Sequence, residues 1–191
     1  CSASDCSLRE AIAVAASGDE VVVPAGIYTL TSLFELTIDK SLTVTGAGSG
    51  DTIIQAATQP DIADFRVLQI TEDGVVAISG VTIRYGNTGI LNEGTVTLTN
   101  STVSGNTAKS GGGGIYNSGS STLILTNSTV SGNGGPGGGS AFSAAIDTNG
   151  GTVTLANSTL SGNRGTYASI RNSSSAGSVK NTIPNGIGSN H

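Results

Sequence analysis

The nonapeptide Leu98–Asn106, LTNSTVSGN, recurs unchanged at Leu125–Asn133, and as LANSTLSGN at Leu155–Asn163. The copies begin 27 and 30 residues apart, and none contains a charged residue. A catalytic centre is written once in a chain. A phrase written three times at this spacing describes a supersecondary unit that stacks on copies of itself.

Five segments align around the phrase: Ser41–Gly46, Val75–Gly80, Thr95–Asn100, Thr122–Asn127 and Thr152–Asn157. Each alternates apolar and polar residues with the period of a half-buried strand. Leu42, Val76, Val96, Leu123 and Val153 share one inward slot, and Val44, Ile78, Leu98, Leu125 and Leu155 share the next. Each segment ends on Gly46, Gly80, Asn100, Asn127 or Asn157, the two residue types that most easily take a positive φ. A second short strand follows each turn, as in Val81–Ile83, Ser101–Val103, Ser128–Val130 and Ser158–Leu160. A third is marked by Gly89–Asn92, Gly114–Asn117, Ala145–Thr148 and Ser169–Asn172. Three strands per repeat, with length changes confined to Gly-rich segments such as Gly111–Gly114 and Gly134–Gly139, define a solenoid coil. Stacked coils place Asn100, Asn127 and Asn157 above one another. The stacking predicts that they form a buried or half-buried, structural ladder of side-chain amides, each bonding the next.

The N-terminal half reads as less regular coils, with VVVPAGIYTL and FELTIDK in the first and DTIIQ and FRVLQI in the next; SVKNTIPNG reads as a degraded last one. The count comes to about six coils, a rod on the order of 30 Å long at the usual strand spacing. Ahead of them, SLREAIAVAASG carries Ser7 and Glu10 in capping-box spacing, and Leu8, Ala11, Ile12 and Ala15 on one helical face. This predicts a helix over Leu8–Ala16, ended by Gly18, whose apolar face covers the open end of the stack. The layout is a single domain over 1–191: cap 1–18, irregular coils 19–93, regular coils 94–186 and tail 187–191. No such helix covers the C-terminal end, so that end is expected to meet another copy of the chain or a flanking domain, unless Pro184 blunts it by removing a ladder donor.

Charged residues make up 11% of the chain, against roughly 25% in ordinary soluble domains. Lys and Arg total 8 and do not cluster, and the net charge is −5, which argues against nucleic-acid and anionic-membrane surfaces. No apolar run is long enough to span a membrane. No signal-peptide pattern is present, so export implies a leader that is removed or lies outside this sequence. The cysteines are Cys1 and Cys6. They can close a small disulfide loop, suited to an oxidising compartment; an N-terminal Cys is also the residue that lipoproteins modify. The one histidine is His191, so the pair cannot build a zinc site, and no metal or other cofactor is expected.

The run CSASDCSLREAIAVA, then VVVPAGIYTL, then SLTVTGAGSGDTII resembles exported bacterial proteins that carry a Cys-Ser-Leu-Arg-Glu-Ala motif ahead of a right-handed parallel β-helix, with the polymorphic outer-membrane proteins as relatives in style. The resemblance covers nearly the whole chain. It implies an all-β, right-handed parallel β-helix with an N-terminal cap, a bridge between Cys1 and Cys6, and an extracellular or cell-surface role in attachment or scaffolding. Relatives of this kind usually have a further strand-like segment before the first Cys, and often an anchor beyond the C-terminus, which is the pattern of a processed or ordered part of a longer protein; the sequence leaves that alternative open for this chain.

Parallel β-helices also include polysaccharide lyases and hydrolases, chemistry that needs paired carboxylates, or a base with carboxylates or calcium beside it. From Gly94 onward the only acidic residue is Asp147, and the basic residues Lys109, Arg164, Arg171 and Lys180 are scattered. Asn-Thr-Asp, Asp-Asp and Gly-His-Gly motifs are absent. Asp61, Asp64 and Arg66 cluster in QPDIADFR and read as a solvated loop; no catalytic residue is expected. TGAGSGD lacks a third glycine in phase and a following helix, so it reads as a tight corner and not as a phosphate loop. Thr43, Thr97 and Thr154 fall in one outward row, as in ice-binding solenoids, but Ala77 and Ile124 interrupt it, and Thr is a favourable exposed strand residue in any case. Surface glycans are a candidate ligand class, although Tyr85, Tyr116 and Tyr167 do not recur in one slot. Among the sequons, Asn172 is the glycosylation candidate, because the ladder accounts for Asn100, Asn127 and Asn157. These readings favour a non-enzymatic scaffold, such as an adhesin-like stalk or a fibre subunit, with a polysaccharide-binding or pectate lyase-like protein as the alternative.

Overall fold

The computed structural model describes residues 7–30, 34–108, 112–134, 145–165 and 169–172, together with the backbone of strands at 178–179 and 182–185. The chain winds as a right-handed parallel β-helix with three sheets. Sheet 1 stacks Glu20–Val23, Ser41–Gly46, Val75–Ser79, Thr95–Thr99, Thr122–Thr126, Thr152–Ala156 and Ser178–Val179. Sheet 2 stacks Gly26–Thr29, Thr52–Gln55, Thr82–Arg84, Thr102–Ser104, Thr129–Ser131, Ser158–Ser161 and Thr182–Asn185. Sheet 3 stacks Leu36–Ile38, Leu68–Ile70, Ile90–Asn92, Ile115–Ser118, Ile146–Asn149 and Ile170–Asn172. Among the described residues, sheets of seven, seven and six strands make six full coils and two strands of a seventh.

The apolar slots stack as the alternation requires. Leu42, Val76, Val96, Leu123 and Val153 pair in register, and so do Val44, Ile78, Leu98, Leu125 and Leu155. Sheet 2 adds the column Ile54, Ile83, Val103, Val130 and Leu160, and sheet 3 adds Leu68, Ile90, Ile115 and Ile146. These side chains are buried in one continuous core. Removing a core Leu of this kind costs about 2–5 kcal/mol.

The repeated phrase encodes two strands and two corners. Leu98 points in, Thr99 points out, and Asn100 turns the chain at φ +49; Ser101 points in, Thr102 out and Val103 in. Ser104 points out, Gly105 turns at φ +62, and Asn106 points in. The first corner repeats at Gly80, Asn127 and Asn157, with φ of 63, 49 and 50. Gly46 holds the same register without a positive φ; a Cβ there would strike the Gly80 carbonyl. The second corner repeats at Gly132 and Gly162, with Tyr85 in the equivalent place at φ +60.

This geometry corrects the expected ladder. Asn100, Asn127 and Asn157 do stack, but they are exposed corner residues. The internal amide ladder is Asn106, Asn133 and Asn163. Asn106 Nδ2 donates to Asn133 Oδ1 at 3.0 Å, and Asn133 Nδ2 to Asn163 Oδ1 at 3.0 Å. Backbone N–H groups join the ladder: Gly86 N–H donates to Asn106 Oδ1, Asn106 N–H to Asn133 Oδ1 and Asn133 N–H to Asn163 Oδ1, at 3.0, 3.1 and 3.1 Å. A serine ladder runs beside the Asn corner. Ser101 N–H donates to Ser128 Oγ and Ser128 N–H to Ser158 Oγ, both at 3.2 Å. A third ladder lies inside sheet 3, where Asn92 Nδ2 donates to Asn117 Oδ1 at 2.7 Å and Asn117 Nδ2 to Thr148 Oγ1 at 3.4 Å.

The N-terminal helix spans Leu8–Val14 and buries Leu8 and Ile12. Both arms of its capping box form: Glu10 N–H donates to Ser7 Oγ at 3.2 Å, and Ser7 N–H to Glu10 Oε2 at 2.9 Å. It ends earlier than Gly18, because Ala15 leaves helical geometry and Lys40 Nζ takes over the carbonyls of Ile12, Ala13 and Ala15 at 3.0–3.3 Å. Cys1 and Cys6 lie outside the described residues, as does most of the C-terminal segment expected to mediate association. Among the described residues no helix is long and apolar enough to cross a membrane.

Candidate functional site

The ionisable groups sit mostly in the first half, and several of them, such as Arg9, Lys40, Arg84 and Glu93, are held by structural partners. Asp61 and Asp64 are exposed, Asp61 at φ +64. Arg66 reaches Glu35 on the preceding coil at 3.5 Å. Glu93 accepts from Gln69 at 3.0 Å and shares a shallow recess with Glu72. Among the described residues no three His, Cys, Asp or Glu side chains gather as metal ligands.

Asp147 is fully buried on the outward side of sheet 3. Its carboxylate takes a two-pronged contact from Arg171 on the next coil, Nε to Oδ1 at 2.8 Å and Nη2 to Oδ2 at 2.9 Å. Bidentate pairing of this kind neutralises a buried charge and fixes the register of two strands.

The TGAGSGD segment is a self-contained corner. Ala47 N–H donates to Thr52 Oγ1, Gly48 N–H to Gly80 O, and Asp51 and Thr52 N–H to Gly48 O, at 2.8–3.0 Å. These amides, which a phosphate cradle would turn outward, are used inside the coil.

Tyr85 is the most distinctive aromatic residue. It holds the left-handed corner that glycine holds elsewhere, and the Arg84 guanidinium lies 4.5 Å from its ring centroid. Arg84 Nε also donates to Gln55 Oε1 at 2.9 Å, and Gln55 Nε2 to Thr29 Oγ1 at 2.8 Å. Beside this corner runs a groove lined by Pro60, Asp61, Gly105, Gly132, Gly162 and Arg164. Tyr116 faces outward on sheet 3 in register with Asp147, and Tyr167 lies outside the described residues.

The outward face of sheet 1 is the largest regular surface. Its middle row is Thr43, Ala77, Thr97, Ile124 and Thr154, the row expected from the sequence. The pairing adds two flanking rows: Ser41, Val75, Thr95, Thr122 and Thr152 on one side, and Thr45, Ser79, Thr99, Thr126 and Ala156 on the other. The signal for them was present in TVTLT, where Thr95, Thr97 and Thr99 alternate. All fifteen positions are uncharged, and only Val75, Ala77, Ile124 and Ala156 lack a hydroxyl.

Asn172, the glycosylation candidate, is exposed and continues the internal register of Thr148. Asn100, Asn127 and Asn157 are exposed as well, so burial does not set Asn172 apart.

No protein family, curated protein or solved structure matches this chain.

Proposed function

We propose that the chain is a non-enzymatic scaffold of an exported bacterial protein, acting outside the cell or at its surface as an adhesin-like stalk or a subunit of a fibre or matrix. One observation carries this reading: the polar side chains inside the regular coils are spent on stacking coil upon coil. Asn106, Asn133 and Asn163, Ser101, Ser128 and Ser158, and Asn92 and Asn117 bond from coil to coil within their own ladders. The one carboxylate in those coils, Asp147, is neutralised by Arg171. Such coils supply length and rigidity. The resemblance of the Cys-Ser-Leu-Arg-Glu-Ala run to exported β-helix proteins supports the location.

Electron microscopy of native material tests the reading, with rods or fibres as the expected result. A screen on pectate, alginate and xylan is expected to find no depolymerisation. Turnover lost in Asp64→Asn would sink the scaffold assignment.

The second reading, polysaccharide binding, is favoured by the groove beside Tyr85. An aromatic ring held in a strained corner next to a glycine-lined shelf suits a sugar face. Retention on a polysaccharide column that is abolished by Tyr85→Ala would support it over the scaffold.

A further inference from the structure

We propose that the outward face of sheet 1 is an ice-binding plane. The proposal is independent of the scaffold reading and rests on the geometry of that face.

Parallel, in-register pairing makes the face a two-dimensional lattice. Coils repeat about every 4.8 Å across it, and alternate residues repeat about every 6.6 Å along each strand. Thr95, Thr97 and Thr99 on one coil lie directly beside Thr122, Ile124 and Thr126 on the next. Each Thr presents one methyl and one hydroxyl. Because Thr is branched at Cβ, its χ1 is stiff, and neighbours on both sides hold it further. Most of these side chains are half-buried against each other, with Thr95, Thr97, Thr99, Thr122 and Thr126 all in that state. The array is ordered before anything binds, so little rotamer entropy remains to be lost on contact.

The chemistry selects the occupant. From Thr43 to Thr154 no ionisable group stands on the three rows; the one carboxylate in register, Glu20 beside Thr43, marks the edge of the face and accepts from Thr45 Oγ1 at 2.6 Å, so a charged partner finds no complement on the five coils themselves. No aromatic ring stands there either, so the face lacks the platform that sugar rings stack on. The outward row of sheet 3 in the same coils differs, running Leu91, Tyr116, Asp147 and Arg171. A rigid, neutral grid of alternating hydroxyl and methyl groups matches a neutral ligand that is itself a lattice and can be both hydrogen-bonded and caged, namely ordered water. Ala77 and Ile124 break the middle row, and Val75 and Ala156 each interrupt a flanking one, but all four are uncharged and the other eleven positions keep a hydroxyl.

The full chain would be co-frozen with an inert protein on a slowly growing ice surface, and its freezing hysteresis measured. Enrichment in the ice and a concentration-dependent freezing gap are expected. Thr97→Lys and Ile124→Lys, each checked for an unchanged melting transition, are expected to lose most of both signals. Ser131→Lys, outward on sheet 2, is expected to keep them. The proposal is overturned if the wild-type chain is excluded from ice while folded, or if folded Thr97→Lys or Ile124→Lys is taken up like wild type. Equal loss in Ser131→Lys would also overturn it, as would retention on cellulose or chitin without uptake into ice. Should one Lys variant fail to fold, the other and the wild-type measurement still decide.

Discussion

In the coils from residue 94 to 165 the inward asparagines and serines of the repeated phrase bond their own copies on the next coil, whereas the coils before them use pairs that occur once. In the regular stretch, Asn meets Asn and Ser meets Ser at 3.0–3.2 Å through the serine and amide ladders. In the early stretch, Thr29, Gln55 and Arg84 form a chain of unlike groups, Thr52 Oγ1 donates to Pro24 O at 3.1 Å, and Arg9 Nη1 donates to Glu35 O at 2.8 Å. The ionisable residues follow the same division, with twelve of the 13 acidic side chains lying before residue 94. A self-complementary slot needs no charge and extends indefinitely. A stack that starts at a helix cap must join two different surfaces, and unlike partners serve that purpose.

The largest expected effect breaks a self-complementary slot. Asn133→Leu removes the acceptor used by Asn106 N–H and Nδ2 and the donor used by Val103 O, all buried. Unpaired buried groups cost about 1–3 kcal/mol each, so a loss of about 3 kcal/mol is expected after relaxation. The exposed corner is the control. Asn127→Leu should cost about 1 kcal/mol for a left-handed branched residue, and Asn127→Gly only a few tenths. Equal melting temperatures for Asn133→Leu and Asn127→Leu would show that the ladder contributes nothing.

That pair also marks where the sequence was legible. Alternation placed the apolar columns correctly because each strand is an unbroken period of two. Stacking alone misplaces the amide ladder, because it brings the corner asparagines together but does not say which way a corner residue faces. From Leu98 in and Thr99 out, strict alternation turns Asn100 inward. A left-handed residue adds one outward position, and the inward slot passes to Ser101. The same shift at Gly105 delivers Asn106 to the interior. Both asparagines recur in every copy of the phrase, so repetition alone could not separate them. The three-row face was hidden for a different reason: its extent depends on register between strands some thirty residues apart, which TVTLT and TLILT suggest only once they are stacked.

The next effect tests the one place where the regular coils use unlike charges. Asp147→Asn leaves Arg171 without its anionic partner. Breaking a fully buried pair costs about 3–5 kcal/mol, and because the Arg171 side chain keeps 24% exposure, about 2 kcal/mol is expected in a denaturant titration. A neutral outcome would assign Asp147 a role other than holding the two strands in register.

A smaller effect, of opposite sign, concerns an exception inside the repeat. Ser121 occupies the column held by Gly74, Gly94 and Gly151. Its Oγ is buried and, among the described residues, is the one buried side-chain polar atom without a partner. Ser121→Ala keeps the Cβ and removes that group, so a gain of about 1 kcal/mol is expected, read as a raised melting temperature. A lowered one would mean that the hydroxyl is satisfied in solution.

The smallest effect separates the two regions by pH. The Glu10 carboxyl is held below the ordinary Glu value, first by the Ser7 backbone N–H and then by the Ser7 hydroxyl, both donating to Oε2. A carboxylate whose folded pKa is depressed adds stability that is fully present above its unfolded pKa and is lost as pH falls through the folded one. Glu10→Gln should therefore melt slightly below wild type at neutral pH, and the gap should close on acidification beneath the usual Glu range. The Asn133→Leu penalty should stay flat over the same interval, because the ladder it breaks holds no titratable group. A Glu10→Gln gap that persists unchanged in acid would remove the capping carboxylate from the account of the N-terminal end. An Asn133→Leu penalty that shrank with it would show that the two ends of the stack unfold as one unit, and that the contrast between unlike pairs and self-matched ladders is one of chemistry without consequence for stability.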